Sequence, residues 1–190
     1  HILEEVAQKK VELIEGPRTQ LNRMIAHRIV EKVINTGALE CSDVKAPACW
    51  EVVSKTPTII LDGAHSTPRL EYLLPKIVET SGHKVAIIAL TRNHEADLSI
   101  ILNEFDEIFF CDHVHHRECW PASELINKFG KGKTFSTNPI ETLHKVKTNY
   151  PNSTIVVFGS FYLCGEIRNI FYSPEEILKQ KTEFPLIEQK

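Results

Sequence analysis

The chain has 190 residues and a formal net charge of -3, with 42% hydrophobic and 25% charged residues. This composition is typical of a globular protein with enough apolar material for the core of about one domain. The slight negative charge and the lack of a basic stripe argue against nucleic-acid binding. No apolar run approaches the roughly 18 residues that a membrane helix requires. We therefore expect neither nucleic acid nor a membrane as a partner.

Five cysteines at irregular spacing favour a reducing compartment over a disulfide framework, which predicts a cytoplasmic protein. The N-terminus has no apolar segment of the signal-peptide kind. The chain begins with His1 instead of Met, which indicates processing or a fragment of a longer protein.

Residues 1–55 are predicted to form two helices, at 2–14 and 20–35, where apolar residues recur at helical spacing. Residues 38–56 lack periodicity and contain a proline, which is typical of a connecting segment, with one short strand at 50–53. We predict a domain boundary near residue 55.

Residues 56–190 alternate between strand-like and helix-like segments. The predicted strands are 58–61, 85–90, 107–111, 133–136 and 154–158, and the predicted helices are 68–80, 95–104, 122–129, 139–149 and 162–171. This alternation predicts an α/β domain with a doubly wound, mostly parallel, Rossmann-like sheet and flanking helices.

A turn with polar side chains follows the strand predicted at 58–61. The strand runs into Asp62-Gly63-Ala64-His65, and a helix is predicted to start at Pro68 with Thr67 as its N-cap. Open α/β sheets hold ligands at the carboxyl ends of their strands. The alternative is that Asp62 and His65 only satisfy a tight turn.

A second turn follows the last predicted strand, where Phe158 is followed by Gly159-Ser160 and at once by a helix. The backbone N–H groups of such a helix start, together with the Ser160 hydroxyl, can bind an anion. The alternative is a helix that Ser160 merely caps.

A third stretch, Gly130-Lys131-Gly132-Lys133-Thr134, is similar to part of a phosphate-binding loop. The full pattern requires an earlier glycine at the position of Asn127, and it opens a helix after a strand. This stretch precedes a predicted strand, so we reject a phosphate-binding role for it.

Residues 111–119 are rich in possible metal ligands, and His115 and Cys119 could reach one ion. Their spacing matches no structural zinc pattern. A polar loop is therefore favoured, no metal site is assigned, and a metal-binding module stays the least favoured alternative.

Taken together, Asp62-Gly63-Ala64-His65 and Phe158-Gly159-Ser160-Phe161-Tyr162 resemble the C-terminal domain of folylpolyglutamate synthase/dihydrofolate synthase. That family belongs to the Mur ligase superfamily, and the likeness covers about residues 46–172. It implies that the two preceding helices are left over from a central ATPase domain. It would also place the family's carbamylated lysine at Lys10.

The resemblance implies an ATP-dependent ligase. In that family, ATP and magnesium phosphorylate a folate or pteroate carboxylate, and the amine of glutamate attacks the acyl phosphate. The resemblance assigns Asp62 to nucleotide binding, His65 to catalysis, and His65, Ser160 and Tyr162 to glutamate binding. An ATPase domain, in cis or in trans, would supply the phosphate-binding loop that these 190 residues lack.

Three places in the sequence depart from the family pattern. Cys49 stands where the family has an arginine that contacts the nucleotide, and Ser66 stands where an asparagine follows the histidine. The segment 92–94 reads Arg-Asn-His in place of Asp-Lys-Asp. A degenerate, non-catalytic relative that binds a small ligand or a partner therefore remains the alternative.

Overall fold

The structure is a computed structural model that describes residues 24, 29, 46–92, 96–113, 118–175 and 178. Met24 and Ile29, both inside the helix predicted at 20–35, are helical. The rest of that helix, the helix predicted at 2–14 and Lys10 lie outside the described residues. The chain divides into two compact units between Lys45 and Ala46.

The second unit is built on one five-stranded sheet. Its strands are β1 (Glu51–Lys55), β2 (Thr58–Asp62), β3 (Lys84–Ile88), β4 (Glu107–Phe110) and β5 (Thr154–Phe158). The order across the sheet is β1-β2-β5-β3-β4, with β1 antiparallel to β2 and the other neighbours parallel. The predicted mostly parallel α/β sheet is confirmed.

Helices follow the parallel strands. They are α1 (Thr67–Glu79), α2 (Ser99–Leu102), α3 (Ala122–Phe129), α4 (Pro139–Asn149) and α5 (Phe161–Phe171). The bounds of α3 and α4 are those predicted from the sequence. Within the described residues, no helix has the length and apolar character needed to cross a membrane.

Strand residues alternate between two apolar layers, one on each face of the sheet. Ala86 and Val156 pack beneath α1, α2 and α3, whereas Val85 and Val157 pack beneath α4 and α5. Because both faces are covered, the central strands are apolar at successive positions instead of alternating with polar residues.

The sheet begins before the predicted boundary at residue 55. β1 pairs with β2 along its length and carries a bulge between Val52 and Ser54. The short strand predicted at 50–53 corresponds to β1, and residues 46–55, which were assigned to the segment before the boundary, form part of the α/β unit.

The N-cap of α1 is Ser66, and the prediction of Thr67 was wrong. Ser66 is extended and its carbonyl accepts the N–H of Leu70, so the helix begins one residue earlier. The Thr67 hydroxyl instead accepts the N–H of Asp97 at 3.0 Å, which links α1 to the segment before α2.

Two predicted elements are shorter than expected. The predicted strand 133–136 reduces to one isolated bridge between Lys133 and Phe109, and the preceding Gly132 packs against the Phe110 ring with a positive φ. Of the predicted helix 95–104, the described residues form only the short helix α2. At its start, the Asp97 carboxylate accepts hydrogen bonds from the N–H and the hydroxyl of Ser99.

The rejected phosphate-loop stretch has a structural role at its first residue. Gly130 ends α3 with a φ of 63°, and its N–H donates to the Ile126 carbonyl. This left-handed ending is the common reason for a glycine after a helix.

Candidate functional site

The two sequence motifs meet at one edge of the sheet. β2 and β5 are parallel neighbours, and Asp62 pairs with Phe158 at their carboxyl ends. The chain leaves β2 for α1 on one face and leaves β5 for α5 on the other. Such neighbouring strands open a crevice at their ends, where α/β proteins bind ligands. We call residues 62–66 and 159–162 the β2–β5 crevice.

Asp62 fixes the backbone on the β1 and β2 side of this crevice. Its Oδ1 accepts the N–H of Ala64 and its Oδ2 accepts the N–H of Trp50, both at 3.0 Å. Burial raises the pKa of this carboxyl, while the two N–H groups and the charges of Lys76 and Arg69 act in the opposite direction. Asp62 therefore ties the loop before β1 to the turn after β2.

The loop at 46–50 is strained and firmly held. Ala48 and Trp50 have φ values of 51° and 52°, in the left-handed region that non-glycine residues seldom adopt. The Ala48 carbonyl accepts the N–H of Gly63 at 2.7 Å. Strain of this kind persists only where surrounding contacts enforce it, and it is concentrated at ligand sites. The exposed Cys49 lies between the two strained residues.

His65 has a defined orientation at the mouth of the crevice. Its Nδ1 lies 2.7 Å from the Gly63 carbonyl oxygen, which can only accept, so Nδ1 carries the hydrogen. In the neutral ring, Nε2 is then the nitrogen with the lone pair. The ring meets Phe161 edge-on, with centroids 5.5 Å apart.

Gly159 and Ser160 form the β5 side of the crevice. Gly159 has a φ of 102°, and a β-carbon there would lie 2.5 Å from the Ala89 carbonyl oxygen, so only glycine fits. The buried Ser160 is the N-cap of α5, and its hydroxyl accepts the N–H of Tyr162 at 3.1 Å. That hydroxyl still carries a hydrogen that it can donate.

Successive residues of the first turn of α5 contact different neighbouring loops. Phe161 lies against the turn after β2, whereas the Tyr162 ring lies 5.4 Å from the ring of His113, which follows β4. His113 is buried, and its Nε2 lies 3.2 Å from the Thr91 hydroxyl after β3. The predicted residues His65, Ser160 and Tyr162 thus all lie at one edge of the sheet.

The metal-ligand candidates at 111–119 are described only in part, because residues 114–117 lie outside the described residues. Burial raises the pKa of the Cys111 thiol well above its ordinary value and that of Cys119 to about 11. No three His, Cys, Asp or Glu side chains of the described part lie close enough together to hold a metal ion.

Four residues of this region were not assigned a role from the sequence: Arg69, Thr91, His113 and Phe161. Phe161 belonged to the motif that carried the family resemblance, and its exposed ring could have indicated a ligand surface. Thr91 and His113 are brought to the crevice by strand order, which no local pattern reveals, whereas Arg69 lies on α1, four residues after His65.

Comparison with known proteins points to one group of enzymes. No family model matches the chain. The dihydrofolate synthase/folylpolyglutamate synthase of Escherichia coli is 23% identical over 129 residues, which are 65% of this chain and 30% of that protein. This chain is similar to part of a folylpolyglutamate/dihydrofolate synthase. It spans less than a third of the length of that curated relative.

Solved structures of these synthases share the fold. E. coli FolC in complex with DHPP and ADP superposes with a TM-score of 0.65 at 19% identity, over 90% of this chain and 41% of that one. Mycobacterium tuberculosis folylpolyglutamate synthase with ADP and AMPPCP gives 0.63 at 18% identity, over 83% and 41%. The Yersinia pestis bifunctional synthase with AMPPNP and Mn gives 0.58 at 20% identity, over 73% and 37%. The expected doubly wound, mostly parallel α/β fold is confirmed and is shared with these synthases.

Proposed function

We propose that this chain contributes the C-terminal domain of an ATP-dependent ligase that joins glutamate to a folate or pteroate carboxylate through an acyl phosphate. The observation that carries the proposal is the pairing of Asp62 with Phe158, which brings the Asp-Gly-Ala-His turn and the Gly-Ser turn to one crevice. The similarity to folylpolyglutamate/dihydrofolate synthase supports the same activity.

In this proposal His65 is the catalytic residue. Its Nδ1–H is held by the Gly63 carbonyl, so its Nε2 lone pair can accept a proton from the attacking amine of glutamate. The amine must lose a proton to form the amide. A histidine with a fixed ring orientation can hold the amine in line with the acyl phosphate and take that proton.

Asp62, Ser160 and Tyr162 have binding roles in the proposal. Asp62 holds the nucleotide through the loop that it fixes at Trp50. Ser160 and the N-terminus of α5 bind a carboxylate of the incoming glutamate, because a hydroxyl and the positive end of a helix stabilise negative charge. Tyr162, half-buried beside His113, supplies a phenol to the same substrate.

The phosphates of ATP and the magnesium ion are assigned to a different part of the protein. The sequence has no phosphate-binding loop, and the described residues offer no group of three carboxylate, histidine or cysteine ligands for a metal. We propose that an ATPase domain, in cis or in trans, handles both, with Lys10 as the carbamylated lysine.

The test is phosphate release from ATP by the natural full-length protein. We expect release only when folate or pteroate and glutamate are both present. His65→Gln is expected to lower kcat by about 10²-fold, the usual contribution of a general base, and Asp62→Asn to raise the KM for ATP. His144→Gln, an exposed change on α4, is the matched control. Unchanged kinetics in His65→Gln and Asp62→Asn would reject the site.

The second candidate is a non-catalytic relative that binds a small ligand or a partner. It is favoured by the exposed Cys49 in place of an arginine and by Arg92, which is paired with Glu124 at 3.0 Å where the family has an acidic residue. Under this alternative, ADP or folate raises Tm but no phosphate is released. Cys49→Arg then tightens ADP binding, because arginine supplies a fixed charge and several donors.

A further inference from the structure

An aromatic ring with an imidazole and a guanidinium beside it lies at the outer side of the β2–β5 crevice. Phe161 is 46% exposed although it begins α5. The His65 ring lies 5.5 Å from its centroid, and the guanidinium carbon of Arg69 lies 5.9 Å from the same centroid. We call His65, Arg69 and Phe161 the Phe161 platform.

Arg69 differs from the other arginines that the structure describes. Arg92 and Arg168 are paired with Glu124 and Glu51. Within the described part of the chain, the Arg69 guanidinium makes no hydrogen bond or salt bridge; its contact is the one with the Phe161 ring. Its side chain is exposed.

The Asp62 carboxylate does not neutralise Arg69. Asp62 interacts with it electrostatically, but the two Asp62 oxygens are engaged by the N–H groups of Trp50 and Ala64. A planar guanidinium in this position can bind an anion through two parallel hydrogen bonds. The exposed Phe161 ring beside it offers an apolar surface for methylene groups.

We propose that Arg69 binds a carboxylate of the incoming amino acid and makes the platform selective for an acidic substrate. This inference rests on the ligase function proposed above. It adds a specificity-determining residue to His65, Ser160 and Tyr162.

The bound anion is a carboxylate in preference to a phosphate of ATP. Asp62 lies close enough to act on Arg69 electrostatically, so it repels a phosphate with two or more charges more strongly than a carboxylate with one. The platform also includes His65, the residue assigned to the attacking amine. An amino acid with its methylene groups on Phe161 would present an anion to Arg69 and its amine to His65.

The experiment measures steady-state kinetics of the natural full-length protein with L-glutamate, L-glutamine and L-isoglutamine as acceptor amines. Arg69→Gln is expected to raise the KM for glutamate by about 10- to 100-fold, the usual contribution of a charge-assisted pair. The KM for ATP is expected to stay within about twofold of the wild type. Arg69→Lys keeps the charge without the planar fork, so an intermediate KM is expected.

Lys147→Gln is the matched control, because the Lys147 ammonium lies over the Phe171 ring at the same 5.9 Å, towards the far end of α5. It is expected to leave every KM unchanged. The two amides show which carboxylate Arg69 binds. The KM for an amide that already lacks that carboxylate should not rise further in Arg69→Gln, and this pattern supports the proposal.

Two results overturn the inference while the ligase function stands: a KM for glutamate within twofold of the wild type in Arg69→Gln, or a rise in the KM for ATP in its place. If the wild-type protein releases no glutamate-dependent phosphate, the proposed function fails, and the assignment of Arg69 fails with it.

Discussion

Arg168 of α5 donates its Nε–H to both carboxylate oxygens of Glu51 on β1, at 2.9 and 3.1 Å. Both side chains are largely buried, with exposed fractions of 12% and 7%. Glu51 also accepts the N–H of Ala48 at 2.9 Å. One ion pair thus links α5, the edge strand and the strained loop that contacts Asp62.

Removing one partner of this pair should destabilise the protein. Arg168→Gln leaves the Glu51 carboxylate buried without its cation, and we expect the free energy of unfolding to fall by about 3 kcal/mol. Urea denaturation measures this. Glu51→Gln and the double variant complete a double-mutant cycle, and a coupling energy near zero would contradict the pairing.

Gly159 and Gly165 should respond in opposite directions to alanine. Gly159→Ala places a methyl group 2.5 Å from the Ala89 carbonyl oxygen at a φ of 102°, and we expect a loss of about 2 kcal/mol or more. Gly165→Ala adds a methyl group within α5 where no atom lies within 4 Å, and we expect a gain of roughly 0.5–1 kcal/mol.

Thermal or urea unfolding of the two glycine variants provides the comparison. Equal effects at the two positions would show that the backbone of Gly159 can relax away from Ala89.

Asp62 should make folding less favourable as the pH rises. Its folded pKa is raised above the ordinary value of 3.8, chiefly by burial, so between the two values the folded state holds a proton that the unfolded chain has released. Stability from this group is therefore present below pH 3.8 and is lost as the pH rises through the folded pKa. Asp62→Asn removes this dependence.

We expect the free energy of unfolding of Asp62→Asn, relative to the wild type, to increase across that pH range and then to level off. Urea titrations at a series of pH values measure the difference. A difference that decreases as the pH rises would show that hydrogen bonding outweighs burial at this carboxylate.

Comparing substitutions at two N-cap residues distinguishes the structural role of Ser160 from its proposed binding role. Ser160 caps α5, and Asn138 caps α4 by accepting the N–H groups of Ile140 and Glu141. Ser160→Ala and Asn138→Ala should each cost about 1 kcal/mol of stability.

If Ser160 binds the substrate carboxylate, Ser160→Ala also raises the KM for glutamate, whereas Asn138→Ala leaves it unchanged. If both variants lose a similar small amount of stability and both keep the wild-type kinetics, Ser160 serves only as a helix cap.

Much of the fold could be predicted because its signals are local. Apolar runs marked the parallel strands, and the helix predicted at 139–149 has the bounds of α4. The Lys133 segment was mistaken for a strand, since a single bridge to β4 and a longer ladder look alike in sequence. The sequence predicted a short strand at 50–53 but placed it before the α/β unit, because its pairing with β2 is a tertiary contact that no local pattern shows.

By itself the sequence determined the class of fold, the two motifs at strand ends and the family that they resemble. The tertiary structure decided that β5 lies between β2 and β3, which brings Asp62 beside Phe158 and places Arg69 and His65 at the Phe161 ring. Periodicity and turn chemistry are properties of neighbouring residues, so a sequence reveals them directly. Strand order depends on which apolar faces pack together across the whole sheet, and only the folded chain specifies it.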